Sequence, residues 1–141
     1  KSSIWLLANS GCISDEQSII AIKKVFELEK IAYDNTITAD DWGAAKLQLD
    51  IAKLYARLGN ISEAVEHLKI GATAAKAFDK RPEEQYFTSI LLGDITDKKI
   101  DFETSDTRTL CEIMRDKWLS SPEFAQLRNT DEFKEIVNIL Y

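Results

Sequence analysis

Hydrophobic residues recur along most of this chain at spacings of three and four. That is the period of an amphipathic helix, not the strict alternation of a half-buried strand. Ile4, Leu7 and Ala8, with Trp5, predict a short first helix ending near Asn9-Ser10-Gly11. Ser14, three residues before Gln17, fits a capping box at the start of the next helix. Ile19, Ile20, Ile22, Val25, Phe26, Leu28 and Ile31 carry that helix to about Tyr33, and Asp34-Asn35-Thr36 breaks it. A third helix is expected from Thr38 or Ala39, with Asp40 and Asp41 at the positive end of its dipole. Ala44, Leu47, Ile51, Leu54, Tyr55 and Leu58 form its apolar stripe, and Gly59-Asn60 closes it. Ser62-Glu63 opens a fourth helix, with Ala64, Val65, Leu68, Ala72, Ala75 and Phe78 facing inward to about Asp79, before Pro82.

The pattern weakens after Pro82. Tyr86 to Leu92 is apolar and reads either as a helix end or as a short extended piece, while Gly93-Asp94 and Thr96-Asp97-Lys98-Lys99 read as loop. Helical spacing returns from about Thr107 to Trp118, with Leu110, Ile113 and Met114 facing inward. Ser121-Pro122-Glu123-Phe124 is echoed by Thr130-Asp131-Glu132-Phe133. Each string puts a capping residue before an acidic first turn, which predicts short helices over 122–128 and 131–140. Only five Gly and two Pro punctuate 141 residues, too few for the turns of an all-β sandwich or barrel.

Composition narrows the function. A chain of 141 residues with 45% hydrophobic residues is expected to fold as one domain, 1–141, with its own core. The net charge of -6 argues against direct nucleic-acid binding, which needs clustered Lys and Arg to neutralise phosphate. That charge is uneven. Residues 1–38 carry -1, residues 39–81 carry +1, and residues 82–141 carry -6. No apolar run approaches a membrane span, so no membrane partner is expected. The longest early apolar run, Ile4 to Ala8, is too short for a signal peptide. The chain opens on Lys1 rather than Met, so an upstream domain is expected to be missing. Cys12 and Cys111 form no CxxC pair and read as reduced, buried thiols of a cytoplasmic protein.

Gln48 to Pro82 is the most specific stretch. Ala52, Tyr55, Leu58-Gly59-Asn60, Glu63-Ala64 and Leu68 follow the order and spacing of a tetratricopeptide repeat, and Gly71 falls where that motif favours a small residue. The region resembles that family over about a quarter of the chain, with Gln48 where the usual Trp would stand and Pro82 later than usual. The resemblance implies an all-α fold, a right-handed superhelical stack of six to seven helices in antiparallel hairpins. The clearest repeat would be 48–82 and a C-terminal helical cap would cover 107–141. Ala64-Val65-Glu66-His67-Leu68, Ala74 to Asp79, Pro82, Tyr86 to Leu91 and Leu119 to Arg128 are also similar to the C-terminal repeat region of Cro/CI-type (XRE) helix-turn-helix transcriptional regulators of Gram-positive bacteria. This resemblance implies a bacterial protein- or peptide-binding domain, the sensor or oligomerisation part of such a regulator. The alternative is a structural scaffold that self-associates, for example as a homodimer, without its own ligand.

Candidate chemistry is sparse. His67, the single histidine, reads as structural rather than catalytic, because no nucleophile–base motif accompanies it. Asp94, Asp97, Asp101 and Glu103 lack the spacing of a calcium loop, and no phosphate-binding Gly string is present. No enzyme activity, metal or cofactor is therefore expected. Trp42 reads as a packing anchor, with a partner surface as the other option. Lys46, Lys53 and Arg57 share one face of the third helix. The repeat resemblance implies that this face lines a groove, so the three cations, flanked by Leu49 and Ala56, form a candidate site for an acidic or C-terminal carboxylate ligand. The competing reading is a solvent face on which Asp50 pairs with Lys46 and Lys53. The acidic segment 120–141 is a candidate internal ligand for the same groove.

Overall fold

The computed structural model describes residues 6–8, 10–32, 42–91, 93–99 and 106–141. Ile4, Trp5, Tyr33, the expected helix start at Thr38 to Asp41, Asp101 and Glu103 lie outside the described residues. The protein is mostly helical. Helices α1 (Asp15–Ala32), α2 (Trp42–Arg57) and α3 (Ile61–Lys80) are followed by strands β1 (Glu84–Ser89) and β2 (Gly93–Lys98), then by α4 (Leu110–Ile113) and α5 (Asp131–Ile139). Residues 6–8 are also helical.

Local chemistry sets the helix boundaries. Gln17 N donates to Ser14 Oγ at 3.2 Å and Ser14 N donates to Gln17 Oε1 at 3.0 Å, the reciprocal cap that opens α1. Gly59, at φ +75°, lets the chain leave α2, and Asn60 then caps α3 by accepting from Glu63 N. Small residues hold α2 and α3 together. Ala45, Ala52, Ala64 and Ala72 are fully buried, and a Cβ added at Gly71 would lie 3.3 Å from Gln48 Cβ and 3.4 Å from the Ala45 carbonyl.

The core has two parts. The larger joins the facing sides of α2 and α3 to the C-terminal segment through Leu49, Leu68, Met114, Phe124, Leu127 and Ile136. The smaller lies between α1 and α2 and consists of Ala8, Ile19, Ile22, Val25, Leu47, Ile51 and Leu54. Not all of α1's hydrophobic pattern faces that core. Ile20, Leu28 and Ile31 are exposed: at 100° per residue Ile20 and Ile31 fall on the side of the helix roughly opposite Ile22 and Val25, and Leu28 on its flank.

Residues 93–98 are a strand, which corrects the loop expected there and settles Tyr86 to Ser89 as extended. The two strands pair antiparallel from Glu84↔Lys98 to Ser89↔Gly93. Gly93, at φ +72°, allows the reversal. Opposed residues add cross-strand contacts: Thr88 Oγ1 donates to Asp94 Oδ1 at 2.9 Å, and Lys98 lies 3.3 Å from Glu84. The hairpin is pinned at both ends. Ser89 Oγ donates to the Ala32 carbonyl at 2.6 Å, and Lys99 Nζ donates to the Asp79 carbonyl at 3.0 Å.

The C-terminal region departs from a plain cap in one respect. After α4 the chain makes a π-helical turn, Met114–Trp118, closed by Leu119 N donating to Met114 O at 2.9 Å. Trp118 thereby meets Trp42 edge-on, with ring centroids 5.5 Å apart, so Trp42 anchors α2 against the C-terminal segment. Asp79, at the end of α3, accepts from the backbone N–H groups of Leu110 and Cys111 at 2.9 and 2.8 Å, which fixes the start of α4. The expected helix over 122–128 is a short 3-10 turn, Pro122–Phe124.

Candidate functional site

Two of the three cations of the α2 stripe, Lys46 and Arg57, are paired within the chain. Lys46 Nζ lies 2.5 Å from the carboxylate of buried Asp50. Arg57 grips Asp15, with Nε and Nη2 donating to the two carboxylate oxygens at 2.9 and 2.8 Å. Glu123, in the turn after the π-helix, stands 3.8 Å from Arg57, and its carboxyl is held below the usual range first by the Ser121 hydroxyl, with Lys53 and Arg57 adding to it. Leu49 is not an accessible groove floor: it is fully buried against α3 and the C-terminal segment, and Ala56 packs half-buried on the same cluster. A residue with no exposed surface cannot touch a ligand without unpacking the core.

The opposite face of α2 borders a cleft. Ala44, Gln48 and Ile51 lie roughly 180° around the helix from Lys46 and Lys53. Gln48, partly exposed, lines a cleft of about 590 Å³ between α1 and α3, with Ala44 and Ile51 buried beneath it. Phe26 on α1 and Ile70 and Ala74 on α3 make its apolar walls, while Lys23, Lys30 and Lys69 stand around it with Glu27 and Glu66. α1 and α3 both lean on α2, one through Leu47 and Ile51, the other through Ala45 and Ala52, and the cleft is the gap between them. Its volume falls in the range of pockets that take small ligands or peptide side chains.

Polar groups at the base of the cleft are ordered by one another. The His67 Nδ1–H donates to Gln48 Oε1 at 2.6 Å, which fixes the tautomer and leaves Nε2 as the acceptor, 3.9 Å from Glu63. Burial, and after it the Lys23 charge, hold the His67 imidazole below its usual range, so the ring is neutral at pH 7. The ring stacks on Tyr55 with centroids 5.4 Å apart. Lys23 Nζ donates to the Tyr55 hydroxyl at 3.0 Å and lies 5.2 Å from the ring centroid. Lys30 pairs with Glu27 at 2.9 Å, and Lys69 pairs with Glu135 at 3.0 Å. Lys23 is thus held by a neutral oxygen and by ring electrons, and its positive charge is available to an anion.

Neither cysteine joins this site. Cys12 is exposed, not buried as its apolar character suggested, because it sits in the bend that precedes α1; Cys111 is buried at the start of α4. Both are free thiols, and Cys111 is pushed up to about 12 by burial and by the Asp79 carboxylate, so it stays protonated. Among the described residues, no three His, Cys, Asp or Glu side chains gather as a metal-binding set, and no helix is long and apolar enough to cross a membrane. No family model, curated protein or solved structure matches the chain.

The cleft was not legible as a site beforehand. Its residues come from three helices, and His67, Gln48 and Lys23 share no local motif. The one available signal was that Ala44, Gln48 and Ile51 repeat at helical spacing on α2 beside the lone histidine's helix.

Proposed function

We propose that this chain is a protein- or peptide-binding helical domain, and that an acidic peptide segment engages the α1–α2–α3 cleft. The observation that supports the reading is the cleft itself: apolar walls of side-chain size on an open face, with lysines around them. An apolar residue of the peptide would enter between Phe26 and Ile70, and a neighbouring carboxylate would meet Lys23. The tetratricopeptide-like spacing and the similarity to XRE-type regulators support a finer reading: the cytoplasmic sensor part of a bacterial transcription regulator, joined to an upstream DNA-binding domain. The scaffold alternative has an observation of its own, the exposed apolar stripe on α1, taken up below.

Peptide display against the immobilised domain tests the reading. Selected sequences are expected to pair an apolar residue with Asp or Glu. Fluorescein-labelled versions are expected to bind Ile70→Glu at least tenfold more weakly by anisotropy, with far-UV dichroism unchanged. No enrichment over a blank surface, or equal affinity for Ile70→Glu, would overturn it.

A further inference from the structure

α1 carries two opposite apolar faces, and the core covers one. On the other side Ile20 and Ile31 are 55% and 64% exposed, and Leu28, on the flank between the two faces, is 57% exposed. Between Ile20 and Ile31, on the same line, lie exposed Lys24 and Glu27. Ile20, Lys24, Glu27 and Ile31 are separated by four, three and four residues, the spacing of the inner positions of a two-helix seam, and fall within roughly 60° of one another.

We propose that this face pairs with the same face of a second copy of the chain, with the two α1 helices antiparallel about a two-fold axis. The order of the four residues is what selects the occupant. With the axis level with the Val25–Phe26 peptide, Ile20 meets Ile31 of the partner subunit and Lys24 meets Glu27 of the partner subunit. The two-fold repeats both contacts, so two apolar layers enclose two ion pairs. A parallel pair would instead set lysine against lysine and glutamate against glutamate, which costs energy at close range. The surface is therefore complementary to itself in one orientation.

Exposed apolar residues also flank the two ends of α1. Leu6 and Leu7, 60% and 47% exposed, lie at the α1 N-terminal end, where the Ala8 carbonyl accepts from Ser18 Oγ. Ile90 and Leu91, 92% and 65% exposed, lie at the other end, where Ser89 is tied to Ala32. One helix per partner is a small interface, so the association is weak and concentration-dependent.

Sedimentation over a concentration series tests this on the whole chain. The wild type is expected to shift from 16.0 kDa toward twice that mass as concentration rises. Lys24→Glu alone and Glu27→Lys alone are each expected to weaken association at least tenfold. The double exchange, which restores opposite charges across the axis, is expected to return it to within about threefold of wild type. Far-UV dichroism checks that each variant is folded. A strictly monomeric wild type at millimolar concentration, unaffected single variants, or no recovery in the double variant would each overturn the pairing. A second arm uses Cys12→Ser. Adding Ile20→Cys and Ile31→Cys together is expected to give a covalent dimer on oxidation, whereas Ile20→Cys alone gives none; efficient crosslinking by Ile20→Cys alone would mean a different register and sink the proposal. The pairing does not rest on the cleft reading, since loss of self-association and loss of peptide affinity are measured separately.

Discussion

On one face of α2, Lys46 meets Asp50, and Arg57 meets Asp15 and Glu123. On the other, Gln48 borders a cleft, with Ala44 and Ile51 buried beneath it, edged by Lys23, Lys30 and Lys69 and by Glu27 and Glu66. The cations of the stripe sit on α2 itself, whereas those of the cleft come from the helices on either side, Lys23 and Lys30 from α1 and Lys69 from α3. The difference lies in what the rest of the chain brings to them. The acidic C-terminal third sends Glu123 to the stripe, and the start of α1 sends Asp15. Around the cleft Lys30 and Lys69 are likewise met by Glu27 and Glu135, while Lys23 is received by a hydroxyl and an aromatic ring instead. A basic stripe on a helix marks a place where carboxylates gather, and those carboxylates can belong to the same molecule.

The largest test of this contrast is in the core beneath the stripe. Leu49→Ala is expected to cost about 2–5 kcal/mol, read from the urea unfolding midpoint, because its side chain is wholly buried. Ile70→Ala, at the cleft wall and 42% exposed, is expected to cost less than about 1 kcal/mol. If Leu49→Ala left stability unchanged, Leu49 would belong to a surface groove after all. A smaller effect is expected at the closing ion pair. Arg57→Ala is expected to cost about 1 kcal/mol or less, since both partners are partly exposed, and the loss should shrink in high salt.

The same pair has a pH signature. Arg57 holds the Asp15 carboxyl below its usual range, so the pair's contribution is complete above about pH 4 and is lost as Asp15 protonates on further acidification. His67 behaves in the same sense but at higher pH. Its folded-state affinity for a proton is lowered, so the unfolded chain binds the proton more readily, and stability falls as pH drops below about 6.5. Melting curves between pH 7 and 5 should show that loss, and His67→Gln should flatten it. The smallest expected perturbation is chemical: iodoacetamide should label Cys12 rapidly and leave Cys111 unmodified in the native protein, and equal rates would contradict the buried, protonated state of Cys111.

Much of the helical framework was readable from local signals. Ser14 with Gln17, Gly59 with Asn60, and Thr130 before its acidic turn mark helix starts or ends that the structure retains. Ala52 and Ala64 are small residues buried where α2 and α3 pack closely, and Gly71, where the repeat-like spacing also favours a small residue, lies at the same contact. Three features were not readable. α1's hydrophobic residues are numerous enough to hide the fact that they form two faces. The hairpin has one strand, Gly93–Lys98, whose polar composition suits an exposed two-stranded sheet and so resembles loop. The fate of the basic stripe depended on Asp15 and Glu123, which only tertiary packing brings to Arg57. Spacing along a helix assigns residues to a face; it does not say what will cover that face.

The most direct measurement compares the two faces in one titration. A display-selected acidic peptide is titrated against wild type, against Lys23→Glu with Ile70→Glu, and against Lys53→Glu with Arg57→Glu, with dichroism confirming that each is folded. The account predicts at least a tenfold loss of affinity for the first pair and less than a twofold change for the second. Abolished binding in the second pair with the first unaffected would contradict it and return the site to the stripe.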